Sequence, residues 1–158
     1  MAFEIFTVEQ WLFNTLSQDA TLASILATDG RAPFYQVGVY AHMAPELDSK
    51  SLKAVEYPLV IFQRMGTRFS DDVTLCGDRV LVQPIYQIAV WDNQYGGVSI
   101  SRLQPIMDRI DALLDNQVCN TNPPAWCRRL DTNTLVELQE DGRIDVGVIG
   151  NYVFQIQS

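Results

Sequence analysis

Apolar residues recur along the chain with two periods, one typical of helices and one typical of strands. The helical spacing predicts two main amphipathic helices, each preceded by residues spaced as a capping box, Thr7 with Gln10 and Ser101 with Gln104. Asp19 is placed to cap a shorter helical turn, ATLASILA. The apolar faces of the main helices consist of Val8, Trp11, Leu12 and Leu16 in the first, and of Leu103, Ile106, Met107, Ile110, Leu113 and Leu114 in the second.

Four other stretches are predicted to form strands, and residues 79–92 and 143–157 alternate clearly between apolar and polar positions. The four stretches are residues 57–65, 79–92, about 127–139 and 143–157. Pro58 suits the first position of a strand, and Asp141-Gly142 is a strong signal for a tight hairpin. Residues 34–40 have the character of a short strand or an extended segment.

These elements predict one α+β domain over residues 1–158, a length that can bury a single core. We expect an antiparallel or mixed four-stranded sheet with two main helices on one face, in the order α-β-β-α-β-β. The sequence shows no internal repeat.

The longest predicted hairpin connection, residues 66–78, is a candidate for assembly, because connections of that length are often functional. Arginine and aromatic residues are enriched at protein interfaces. We therefore predict an interface with the chain's own copies or a partner. Its predicted residues are Arg64, Arg68, Phe69, Asp71, Asp72 and Tyr95.

Charge argues against nucleic-acid recognition. The net charge is -8 and the sequence pI is about 4.4. Duplex binding requires clustered positive charge, and the one adjacent basic pair is Arg128-Arg129. No apolar run approaches the length of a membrane span. Because the opening MAFEIFTVEQ has no basic residue, we expect a protein used inside a cell or released with a particle assembled there.

The residue types that carry catalysis do not form a recognisable pattern. His42 is the one histidine, and it lies in a proline-marked loop without a nucleophile motif. The cysteines are Cys76, Cys119 and Cys127. Cys119 and Cys127 can pair across the loop between them, although buried thiols in a reducing compartment suit an odd count better. We predict no catalytic residues, no metal and no cofactor.

Several segments in succession resemble one family of virus proteins. They are LFNTLSQDATLASILA, VYAHMAPE, YPLVIFQ, YQIAVWD and IMDRIDALLD, which cover nearly the whole chain in order. Their apolar positions and prolines are similar to those of the tail completion, or tail terminator, proteins of long-tailed bacteriophages.

The resemblance implies a structural protein that is located in the virion and assembled in the host cytoplasm. Such a protein forms a ring, usually a hexamer, on the head-proximal end of the tail tube and halts its polymerisation. The implied partners are its own copies, the tail tube protein and a head-completion or neck protein, while DNA passes through the lumen without specific binding.

Two alternatives stay open. A head-closure or other neck protein is also structural and differs in its partner. A small hydrolase or metal-dependent nuclease would have to use His42, Cys76 or the group Asp71, Asp72 and Asp78.

Overall fold

In a computed structural model, the chain is described over residues 5–26, 38–42, 57–69, 82–94, 100–122, 124–142 and 144–156. The side chains at positions 5, 6, 67–69, 82, 94, 100 and 156 are outside this description. The elements are α1 (Ile5–Ser17), α2 (Ala20–Ile25), β1 (Val39–Ala41), β2 (Leu59–Phe69), β3 (Val82–Gln94), a 3-10 turn (Ile100–Arg102), α3 (Gln104–Leu114), β4 (Gln117–Cys119), β5 (Ala125–Leu138) and β6 (Ile144–Ile156).

The strands form one six-stranded mixed sheet in the order β1-β2-β3-β6-β5-β4. β1 is parallel to β2, and every other neighbouring pair of strands in the sheet is antiparallel. The predicted four-stranded sheet with the order α-β-β-α-β-β is therefore wrong. The additional members are β1 and β4, with three residues each. β1 overlaps the end of residues 34–40, which were predicted to form a short strand or an extended segment, whereas β4 was not predicted.

Two strand boundaries also differ from the prediction. β2 continues to Phe69 instead of ending near residue 65, so the first part of the predicted connection 66–78 belongs to the strand. The register of β2 against β3 shifts between Arg64 and Gly66, where the predicted strand ended. β4 lies inside the stretch that was interpreted as a loop before β5.

One of the three predicted helix caps is confirmed. Asp19 is the N-cap of α2, because its Oδ1 accepts a hydrogen bond from the Leu22 N–H at 2.7 Å. The prediction for Thr7 is wrong, since α1 begins at Ile5. The prediction for Ser101 is also wrong, because α3 has Leu103 as its N-cap without a side-chain bond.

The core lies between the helices and one face of the sheet. Phe154 of β6 is at its centre, with its ring edge-to-face against Trp11 at 5.8 Å and against Tyr86 at 5.5 Å. The alternation of β3 and β6 places every second residue in this core. The buried members include Val8, Leu12, Leu16, Leu22, Val60, Phe62, Tyr86, Ile88, Val90, Ile106, Met107, Ile110, Leu114, Val146, Val148, Tyr152 and Phe154.

The two halves of the chain repeat one arrangement, in which helix is followed by one short and two long strands. β2 pairs with β1 through residues 60–62, and β5 pairs with β4 through residues 125–127. Each long strand then has a register shift, with Met65 as the extra residue in β2 and Leu130 in β5. A two-fold rotation between β3 and β6 relates these features, although β1 is parallel and β4 antiparallel to its neighbour. The expectation of no repeat holds for the sequence but not for the topology.

Candidate assembly interface

Among the described residues, most of the outer edge of β5 has no strand beside it. β4 covers that edge only opposite residues 125–127, and no other described strand pairs with it. All residues from Arg128 to Leu138 are exposed, in contrast to the buried residues of neighbouring β6. Four large apolar side chains belong to this stretch, with exposed fractions of 45% for Leu130, 39% for Leu135, 55% for Val136 and 75% for Leu138. We call residues 128–138 the β5 edge.

The opposite side of the sheet has a second open edge. β1 covers β2 opposite residues 60–62, and within the described ranges residues 63–69 have no further strand beside them. Met65 lies here with 57% of its surface exposed, at the position equivalent to Leu130. We call β1 together with residues 63–69 the β1/β2 edge.

Beyond Arg128 and Arg129, the β5 side of the sheet is acidic, whereas the β1/β2 side is basic. From residue 131 to residue 142 the chain holds Asp131, Glu137, Glu140 and Asp141 and no basic residue. Residues 38–42 and 57–69 hold Arg64 and Arg68 and no acidic residue. Opposite charges on two surfaces favour their encounter and set their orientation.

On the β5 side, α3 fixes the strand at its register shift. Arg129 Nη1 lies 2.8 Å from Asp111 Oδ2, and the Arg129 N–H donates to Asp115 Oδ1 at 2.9 Å. The Tyr152 hydroxyl donates to Asp111 Oδ1 at 3.2 Å. Burial, reinforced by the Asp111 charge, raises the pKa of Tyr152, so its hydroxyl remains a donor. The open part of β5 therefore begins from a firmly held point.

A related arrangement supports the β1/β2 edge. Arg64 pairs with Tyr86 in the sheet, as Arg129 pairs with Tyr152. The Tyr86 hydroxyl donates to Glu9 Oε1 at 3.4 Å, and burial raises the pKa of Tyr86. Glu9 Oε2 also lies 3.6 Å from His42 Nε2, just after β1. Side chains of α1 thus contact the strands near this edge, as side chains of α3 and the residue after it contact β5.

The face of the sheet away from the helices carries a polar row across the four long strands. Gln63 Nε2 donates to Gln87 Oε1 at 2.9 Å, and Asn151 Nδ2 donates to Asp131 Oδ1 at 2.6 Å. These four residues are register partners in β2, β3, β6 and β5. The row ends at Gln63 on one side of the sheet and at Asp131 on the other.

The structure places the predicted interface residues unevenly. Arg64 is exposed on β2. Arg68 and Phe69 are the last residues of β2, with backbone partners Gln83 and Val82, and their side chains are outside the description. Asp71, Asp72 and Tyr95 lie outside the described residues. The sequence analysis predicted β5 as a strand but missed its edge, because the local pattern does not indicate which strands lie beside it.

The cysteines and the histidine of the described residues lie far apart. Cys119 and Cys127 are free and buried, and burial raises the pKa of both thiols, to about 11 for Cys119. They lie in β4 and β5, whereas His42 follows β1 at the other side of the sheet, roughly 20 Å away at the usual strand spacing. They therefore cannot form a Cys-His pair with His42. Cys76 lies outside the described residues.

Neither a metal-binding cluster nor a membrane-spanning helix is present within the described ranges. No group of three or more histidine, cysteine or acidic side chains is arranged to hold a metal ion there. No helix in the same part of the chain has the length and apolar character needed to cross a bilayer.

The fold has relatives among solved structures, although no protein-family model and no curated protein matches the sequence. A chain from the virion of a native gene transfer agent particle is similar over 91% of this chain and 91% of its own length, with a TM-score of 0.56 and 10% identity. A second solved protein, which carries no functional description, matches over 99% of both chains with a TM-score of 0.57 and 13% identity. At these identities the likeness is one of fold.

Proposed function

We propose that this protein is a structural component of a phage-like virion, and more specifically a tail terminator. The observation that carries the proposal is the fold shared with a gene transfer agent virion chain over nine-tenths of both chains, at 91% each. The sequence resemblance to tail terminator proteins points to the same class by a separate route.

In this role the protein forms a ring, a hexamer by family resemblance, at the head-proximal end of the tail tube. Two sheet edges that no described strand covers, one acidic beyond Arg129 and the other basic, support self-assembly, because each can bind a neighbouring copy. The net charge of -8 suits a lumen through which DNA moves without adhering. The ring blocks further addition of tube protein and offers its other face to a head-completion or neck protein.

The enzyme hypothesis has less support in the described residues. A hydrolase needs a nucleophile near a base. The raised pKa values of Cys119 and Cys127 keep both residues in the thiol form, and both lie far from His42. We propose a non-enzymatic function.

Tube growth in vitro tests the proposal. Tail tube protein from the same genome should polymerise to a broad range of lengths alone, and this protein should arrest growth at substoichiometric amounts. An equal amount of an unrelated acidic protein of similar size is the control. Unchanged tube lengths, together with binding to tail-less heads in a pull-down, would favour the neck protein instead.

A further inference from the structure

We propose that copies of this chain join edge to edge, with the β5 edge of one copy forming an antiparallel sheet with the β1/β2 edge of the next. This inference rests on the proposed ring but concerns a different question, namely which surfaces form its subunit contacts. It makes the sheet continuous from one subunit to the next.

Strand direction supports this pairing. β2, β3, β6 and β5 alternate in direction, so β5 runs opposite to β2 within one chain. β1 is parallel to β2 and therefore also runs opposite to β5. In a ring, all subunits point the same way along the axis. A neighbour's β1 and β2 consequently arrive antiparallel to β5, the favoured orientation for direct pairing.

The middle of the β5 edge lacks the features that protect natural sheet edges. Such edges are usually short, carry charged residues or proline, or contain a β-bulge. The bulge at Leu130 and the charged residues lie near the two ends of the β5 edge, whereas residues 132–136 have none of these features and expose Leu135 and Val136. A long edge of this kind in a single chain favours pairing with another strand.

Charge identifies the occupant as the opposite edge of a second copy. The acidic stretch that begins at Asp131 meets an edge that carries Arg64 and Arg68 and no acid. Because the two edges differ, the contact is head-to-tail, and repetition closes a ring if the rotation per subunit allows it. Pairing of two β5 edges would instead end at a dimer.

Cysteine cross-linking in the full-length protein distinguishes these arrangements. A Cys76→Ser background retains the buried Cys119 and Cys127. Asn133→Cys marks the β5 edge, and Ala41→Cys or Met65→Cys marks the β1/β2 edge; all three positions are exposed. The probe is a flexible bismaleimide of about 10 Å reach, long enough to span about two strand spacings. The matched control combines Asn133→Cys with Asn14→Cys, an exposed position on α1.

We expect Asn133→Cys together with at least one of the two opposite-edge cysteines to give a ladder of linked species that ends at the ring. A mixture of the corresponding single variants should stop at dimers, and the Asn14→Cys control should give no ladder. Cross-linked dimers from Asn133→Cys alone would overturn the proposal in favour of β5–β5 pairing. Oligomers without any edge-to-edge link, or monomers under all conditions, would also overturn it.

The proposed function and this contact fail in different ways. A ladder from a protein that does not arrest tube growth would refute the terminator role and leave the contact intact. Arrest of tube growth without a ladder would refute the contact and leave the role intact.

Discussion

Replacement of Asp19 by alanine should destabilise the domain by removing two connections at once. Asp19 Oδ1 caps α2 through the Leu22 N–H at 2.7 Å. The same carboxylate accepts hydrogen bonds from Arg109 of α3, at 3.0 Å to Nε and 2.6 Å to Nη2. The side chain thus fixes the start of α2 and holds α2 against α3.

The magnitude follows mainly from the cap. Loss of an aspartate cap to alanine costs about 0.5–2 kcal/mol. The ion pair adds a smaller amount, because 35% of the Arg109 side chain remains exposed to water and screening. We expect Asp19→Ala to lower the free energy of unfolding by about 2 kcal/mol in all. Asp19→Asn should lose less, because its amide oxygen can still cap the helix.

The charge gives this prediction a pH dependence. The hydrogen bonds from Arg109 lower the pKa of Asp19, although burial opposes this shift. A carboxylate with a lowered folded-state pKa contributes stability above its unfolded pKa of about 3.9. This contribution is lost as the pH falls through the lower, folded-state value. The difference between wild type and Asp19→Asn should be full at neutral pH and disappear in strong acid.

Urea unfolding followed by circular dichroism provides the measurement, with free energies from linear extrapolation. Wild type, Asp19→Asn and Asp19→Ala should rank in that order of decreasing stability at neutral pH. Equal stability of wild type and Asp19→Ala would contradict the packing of α2 on α3. A difference between wild type and Asp19→Asn that grows on acidification would contradict the lowered pKa.

Two further predictions test the core and the thiols. Phe154→Ala should lower the free energy of unfolding in urea by about 3–5 kcal/mol, because it empties a fully buried site between Trp11 and Tyr86. Phe13→Ala, at a position that is 38% exposed, should lower it much less. Similar losses for both variants would show that Phe154 is not central to the core. In a Cys76→Ser background, Cys119 and Cys127 should both react with a thiol reagent at pH 8 only after unfolding, since burial raises their pKa values. Rapid labelling of the folded protein would refute their burial.

The long elements were predictable because their residues repeat with the period of the structure. Tyr86, Ile88 and Val90 alternate toward the core as β3 requires. Gly142, with φ of +81°, lies in the connection between β5 and β6, where Asp141-Gly142 predicted a hairpin. The last paired residues are Leu138 and Ile144, so the connection is longer than a two-residue turn. In these places the local pattern and the tertiary packing agree.

An extended segment was predicted at residues 34–40, which overlaps β1, but the strand order and the sheet edges were not predictable, because they depend on long-range pairing. β1 and β4 have three residues each, and their strand character comes from their neighbours β2 and β5. The extra residues Met65 and Leu130 disturb the alternation that sequence analysis uses. The sequence of β5 predicts a strand but does not indicate which elements lie beside its second half.

The position of the protein in an assembled particle is the most direct test of its proposed role as a tail terminator. Particles that carry a tagged copy of this chain can be labelled with gold and viewed by negative-stain electron microscopy. The terminator role predicts a label at one end of each tail, at its junction with the head, and on headless tails at the same end. Labels along the tube, at the distal tip or only on tail-less heads would contradict it.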